Sequence, residues 1–186
     1  MPDLRTLRIL GVDPGSLRTG IGIVDLLPGG SLRHVHHETV RLAGERDFLE
    51  RLRRILQSLE AAIDRHRPTE AAIERVFLAR NPDAALKLGQ ARGAALCALV
   101  ARAVPVHEYA PMQIKGAVVG AGAAEKHQVQ HMVSRLLALP EPPESDAADA
   151  LAVAITHAHA RALAQRTGLP PARLLRRRGG RGLRLP

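Results

Sequence analysis

Ile9-Leu10-Gly11-Val12-Asp13-Pro14-Gly15-Ser16 is an apolar segment that ends on a carboxylate and runs straight into a turn. The run Leu7–Val12 has the length and composition of a buried strand. Pro14 and Gly15 supply the turn, because proline presets its own backbone and glycine accepts conformations closed to other residues. Gly20-Ile21-Gly22-Ile23-Val24 then reads as a return strand, and Pro28-Gly29-Gly30 turns the chain into a third strand near residues 32–41. An acid at the rigid end of a buried strand is a place where chemistry is often found.

Three further acids stand in comparable positions. Glu74 ends a short apolar strand, Ala71-Ala72-Ile73-Glu74, followed by Arg75-Val76-Phe77. Asp146 and Asp149 lie three apart at the start of an apolar helix, Ser145-Asp146-Ala147-Ala148-Asp149-Ala150-Leu151-Ala152. Residues three apart share a helix face, so both carboxylates can point the same way. Asp146 could also cap that helix, and Asp149 could be a first-turn acid favoured by the helix dipole. Four carboxylates at strand ends and a helix start suggest a site for divalent metal ions. In a basic chain, such a site makes a polyanion a candidate substrate.

The remaining segments place these acids in one fold. Phe48, Leu49, Leu52, Ile55, Leu56, Leu59 and Ile63 have helical spacing and predict a helix over about 45–66. Asn81-Pro82-Asp83 has the chemistry of a helix start, with an Asn cap, proline at the first position and an acid in the first turn. That helix should run to about Ala103. Val104–Tyr109 should be a fifth strand, confined by Pro105 to an edge or a strand start. A short helix near 111–118, a helix at about 123–138 and a last helix at about 146–165 complete the chain. Without the short helix the order is βββαβαβαα. It is the order of RNase H-like folds, an α/β mixed sheet of about five strands flanked by helices.

Composition narrows the class. The chain has 186 residues, 46% hydrophobic, enough for one domain with a sizeable core. We expect a nuclease-like domain over residues 1–165 and a basic, disordered tail over 166–186. Seven of the 27 basic residues are arginines from 166 onward, where there is no acid, so the body carries only +2 of the net +9. A basic arm can bind nucleic acid by releasing counterions. Phe48, Phe77 and Tyr109 are the whole aromatic complement. That is too few for a base-stacking platform and favours recognition of backbone and shape. No run of 18 apolar residues predicts a membrane span, and no membrane partner is expected. The N-terminus lacks a signal-peptide pattern. A single cysteine, Cys97, excludes an intrachain disulfide, and its apolar context suggests a small buried residue. A cytoplasmic location is expected.

Four stretches together resemble the RuvC family of bacterial crossover (Holliday) junction endodeoxyribonucleases. They are Gly11–Ser16; Ile73–Phe77 with Asn81–Gly93; Ala124–Val133 (Ala-Glu-Lys-His-Gln-Val-Gln-His-Met-Val); and Asp146–Ala152. Their order and spacing match over about residues 8–159. The resemblance implies a homodimer that resolves four-way DNA junctions by paired symmetric nicks, a divalent-metal requirement and a branch-migration helicase partner. It assigns the metal-binding acids to Asp13, Glu74, Asp146 and Asp149, the active-site lysines to Lys115 and Lys126, and the junction-contacting aromatic to Phe77. Arg75 departs from the Gln expected after the catalytic Glu and adds a charge there.

The residues support this chemistry on their own terms. Two Mg²⁺ ions about 4 Å apart can activate water and stabilise a leaving oxygen in phosphodiester hydrolysis. Mg²⁺ takes hard oxygen ligands and keeps waters, so a few carboxylates suffice, and Mn²⁺ should substitute. Asp13 is the expected bridging ligand. Only three basic residues are lysines, at 87, 115 and 126, in a chain that otherwise uses arginine. Lys115 and Lys126 therefore suggest that a compact ammonium is wanted beside a phosphoryl oxygen. Phe77 is expected to wedge into the junction centre. Arg75, Arg80 and Lys87 are further candidates for DNA contact. Ala85, Gly89, Gly93, Cys97 and Ala101 recur every four residues and make a seam of small side chains, the expected dimer interface unless it packs on the chain's own sheet. Zinc is set aside: His127 and His131 could share a metal but lack a third ligand nearby, and His157 and His159 face different ways. A non-catalytic junction-binding protein is the principal alternative. An actin-like or sugar-kinase-like ATP binder is a third reading, though such proteins need two domains of this fold.

Overall fold

In the computed structural model, residues 6–75, 81–120, 122 and 124–168 are described. Ten elements follow in the expected order: β1 Leu7–Asp13, β2 Arg18–Leu26, β3 Leu32–Arg41, α1 Phe48–His66, β4 Glu70–Glu74, α2 Pro82–Ala101, β5 Val106–Tyr109, α3 Pro111–Val119, α4 Lys126–Leu136 and α5 Ser145–Thr167. The five strands form one sheet ordered β3-β2-β1-β4-β5. β1 pairs antiparallel with β2, from Leu7 opposite Leu26 to Asp13 opposite Gly20. It pairs parallel with β4, with Val12 opposite Ile73. Asp13 and Glu74 therefore leave the sheet side by side. β5 lies at an edge and starts at Val106, just after Pro105, so both placements that the proline allows are met.

Side chains alternate across the sheet. Leu10, Val12, Ile21, Ile23, Ala71 and Ile73 face α1 and α2 and pack with Ile55, Leu59, Ala95 and Leu99. Ile9, Val24, Ala72 and Tyr109 face the other way and pack with α3, α4 and α5. Asp13 lies on this second face, four residues beyond Ile9, and Glu74 lies there too, two beyond Ala72.

Local chemistry sets the helix ends. Asp47 caps α1 by accepting from the Leu49 N–H at 3.0 Å, so α1 starts three residues later than its apolar spacing suggests. The Asn81 side chain accepts from Asp83 and Ala84 and starts α2 where Asn-Pro-Asp predicts. α5 begins at Ser145, with Glu144 in the cap position, so Asp146 is a first-turn acid and not the cap. α5 also runs to Thr167, so Arg166 belongs to the helix and not to the tail.

α5 is the central helix of its layer, buried along most of its length and rich in alanine. Small residues let it sit directly on the strands. A Cβ added to Gly11 would lie 2.1 Å from the Ala150 carbonyl oxygen, and one added to Gly20 would lie 1.9 Å from that of Asp146. No other residue type fits at either place. This close seat brings the first two turns of α5 over the end of β1.

Candidate active site

Asp13 from β1, Glu74 from β4 and Asp146 and Asp149 from α5 converge at one end of the sheet. Their mutual influence shows in their protonation. Burial, and then the negative charges of Asp149 and Glu74, push the Asp13 carboxyl up to about 7, with Lys126 opposing. Burial and Asp149 likewise raise Glu74 against the pull of Lys115 and Lys126. Asp149 is raised by burial although Lys126 hydrogen-bonds to it. Carboxylates pushed together out of water, with their charge only partly offset by the lysines, form a hard-oxygen donor set that fits a divalent cation.

Both predicted lysines reach this site. Lys126 Nζ lies 2.7 Å from Asp149 Oδ2. Its own pKa is raised: burial opposes this, but the hydrogen bond to Asp149 and the charges of Asp13 and Asp146 prevail. It opens α4, whose start is held by the Gln128 side chain accepting from the Glu125 N–H at 2.9 Å. Lys115, on α3, lines a pocket with Glu74, Ile114, Lys126, Val129 and Asp149. An ammonium-lined pocket beside the acids can hold a phosphate oxygen.

The other DNA-contact candidates fare differently. Arg75 Nε lies 3.5 Å from Glu108 Oε2, and Arg92 Nη2 lies 2.7 Å from Glu108 Oε1. Glu108 is thus shared between two arginines and is closer to Arg92. Lys87 is exposed on α2 and pairs with Asp83 one turn earlier, at 2.7 Å. Phe77 and Arg80 lie outside the described residues.

The seam on α2 faces away from the chain's core. The buried positions are Ala91, Ala95, Ala98 and Leu99. Cys97 is exposed, contrary to the expectation of a buried thiol. Its apolar neighbours alternate between the core and the seam, and Cys97 falls on the seam. Leu86 and Val100 are exposed as well, at 62% and 70%.

Two features were missed by sequence reasoning. Arg18 Nη1 lies 3.7 Å from Asp146 Oδ2, and Arg41 pairs with Glu144 just before α5. These arginines hold the acidic start of the helix over the sheet, and only the antiparallel register could have pointed to them. The second is a cluster of Glu70, His107 and His157. His157 does have nearby partners, supplied by β4 and β5 and not by its own helix.

The family model of RuvC, crossover junction endodeoxyribonuclease, matches residues 9–157. The chain belongs to the RuvC family. It is 60% identical over 162 residues to the crossover junction endodeoxyribonuclease RuvC of Xanthomonas axonopodis pv. citri (strain 306), covering 87% of this chain and 93% of that protein. The RuvC of Stenotrophomonas maltophilia (strain R551-3) is 59% identical, with 87% and 94% covered. The structure of Thermus thermophilus RuvC superimposes with a TM-score of 0.77 at 38% identity, over 86% of this chain and 98% of that one. T. thermophilus RuvC in complex with a Holliday junction substrate superimposes with a TM-score of 0.79, over 86% and 97%. The mixed sheet is thus the RNase H-like sheet of RuvC, and the chain's kin are endonucleases.

Proposed function

We propose that this chain resolves four-way DNA junctions as a homodimer, hydrolysing one phosphodiester in each of two symmetric strands. The convergence of Asp13, Glu74, Asp146 and Asp149 with Lys115 and Lys126, in a RuvC-family chain, carries this reading. The complete acid set disfavours the alternative of a junction-binding protein that does not cut. The four carboxylates would hold two Mg²⁺ ions, with Mn²⁺ as a substitute. When bound, these would supply an acidified water and positive charge at the leaving oxygen.

The chain's own groups do the positioning. Asp13 is rigid because β1 lies in the middle of the sheet. Lys126 holds Asp149 and offers its remaining donors to a phosphoryl oxygen. Lys115 offers a second ammonium from the neighbouring helix. Arg18 steadies Asp146 from the loop edge of the sheet. Phe77 follows Glu74 by three residues and would enter the junction where strands exchange. The Arg-rich tail, and Arg75, Arg80 and Lys87, would add contacts to phosphates around it.

Dimerisation is supported by α2. By length and composition this helix is apolar enough to cross a membrane, yet it packs one face on the core. Its other face presents the small-residue seam with Leu86 and Val100, as a helix does when a second copy covers it. A helicase partner and a cytoplasmic setting that keeps Cys97 reduced belong to the same reading.

The test is cleavage of a mobile synthetic four-way junction in Mg²⁺, beside matched linear duplex, with Asp13→Asn as control. Paired symmetric nicks in the junction alone, lost in the variant, are expected. Tight junction binding without nicks in Mg²⁺ or Mn²⁺ would establish the binding protein instead. Sedimentation at micromolar concentration should give a dimer.

A further inference from the structure

We infer that Glu70, His107 and His157 form a second metal site, for a transition-metal ion of the Zn²⁺ type, separate from the catalytic acids. One ligand atom from each lies within 4.8 Å of the others. Glu70 opens β4, and His107 stands on β5 opposite Ala72, so both project from the α5 face of the sheet. His157 meets them from α5 and is fully buried. Its Nε2 lies 2.5 Å from Glu70 Oε2. His107 Nε2 lies 3.6 Å from that same oxygen.

The donor types set the metal class. Two imidazoles and a carboxylate suit Zn²⁺ and its neighbours, whereas Mg²⁺ prefers an all-oxygen set. The surrounding groups are those that tune such a site. Tyr109 Oη lies 2.7 Å from His157 Nδ1. In the metal-bound site a proton on Nδ1, donated to that oxygen, would leave Nε2 free to ligate. Arg161 Nη2 holds the other Glu70 oxygen at 3.1 Å and leaves Oε2 for the metal. On binding, the ring proton of His157 leaves Nε2, where it faces Glu70 Oε2, and is carried on Nδ1 instead, facing Tyr109. His107 is partly exposed, which provides an entry path and room for water as a fourth ligand.

The site is remote from the four acids along both elements it shares with them. His157 is eight residues beyond Asp149, about 12 Å along the helix. Glu70 is four residues before Glu74, about 13 Å along the strand. A metal here would clamp the edge strand β5 and β4 to α5 and so stiffen the frame that carries Glu74 and Asp149.

The test uses the untagged full chain carrying Asp13→Asn, in excess Mg²⁺, titrated with Zn²⁺ by calorimetry and followed by thermal unfolding. One Zn²⁺ per chain is expected. At a hundredfold excess over its dissociation constant, the midpoint should rise by roughly 5–10 °C. His107→Gln and Glu70→Gln should each weaken binding by about tenfold or more. Co²⁺ should give visible absorption bands that both changes remove. His107→Gln in the otherwise natural chain should keep Mg²⁺-dependent junction cutting, which confirms its fold. Absence of Zn²⁺ uptake, or uptake unchanged in both variants, would overturn the proposal: the cluster would be a hydrogen-bonded network only, or the ion would sit on the catalytic acids.

Discussion

Asp13 and Asp25 are aspartates on paired neighbouring strands, both withdrawn from water, and they behave in opposite ways. Asp25 lies at the far end of β2, beside the start of β1. Burial pushes its carboxyl up, but Arg8 and Arg33 more than offset this and hold it below the usual range. Arg8 is bidentate, at 2.8 and 3.1 Å, and Arg33 adds a contact at 2.7 Å. Asp13 ends β1 among acids, and burial with their charges pushes it up to about 7. One end of the sheet is thus a finished ion pair, and the other has an unbalanced charge. A carboxylate whose partners are within the chain is structural. One whose charge the chain leaves unmet awaits something from outside.

The largest effect should come from removing the unmet charge. Asp13→Asn should lower junction cutting by roughly 10²–10³-fold, the scale seen when a charge-stabilising group is lost. The same change should raise the melting temperature of the metal-free protein at pH 8, because it relieves repulsion. An active site and a stability liability would then be one residue. A lower melting temperature in EDTA would remove the basis of the comparison.

The reciprocal change comes next. Asp25→Ala strips Arg8 and Arg33 of their partner and should destabilise the fold by about 2 kcal/mol. That is less than a fully buried pair because both arginines are partly exposed. Urea unfolding measures it. The folded variant should still cut junctions.

Acidity should separate the two ends. Asp13 titrates higher in the folded chain than in the unfolded one, so the metal-free fold loses stability as pH rises from about 4 to 7, by roughly 4 kcal/mol at most. Asp25 titrates lower when folded. Its contribution is present above about pH 4 and disappears as pH falls further. Unfolding in EDTA across this range should show the decline, and Asp13→Asn should flatten it. Mg²⁺ should oppose it.

The smallest effects concern the lysines. Lys126→Arg and Lys115→Arg keep the charge but change its shape, and each should slow cutting by about tenfold with little change in stability. Full activity in both would show that a point charge is not what the site uses there.

Much of this was legible in the sequence because it depends on local rules. Apolar runs broken by Asp-Pro-Gly and Pro-Gly-Gly locate β1 to β3, and Asn-Pro-Asp locates the start of α2. The four acids were legible because each ends or starts an element. What escaped depended on contacts between distant segments. Arg75 meets Glu108 of β5, a pair that no local rule places. Cys97 has a core-like context, yet its helix angle puts it outside. Glu70, His107 and His157 meet only through the β4–β5 register and the path of α5, and no spacing rule encodes either.

The seat of α5 has a consequence for how the chain tolerates change. At Gly11 and Gly20 the helix α5 rests on bare backbone, and even one methyl group would lift it. In a saturation scan scored by survival of DNA damage, alanine is usually the gentlest replacement. Here it should be scored as harshly at these two positions as a lost carboxylate, though both glycines are buried and neither has a side chain.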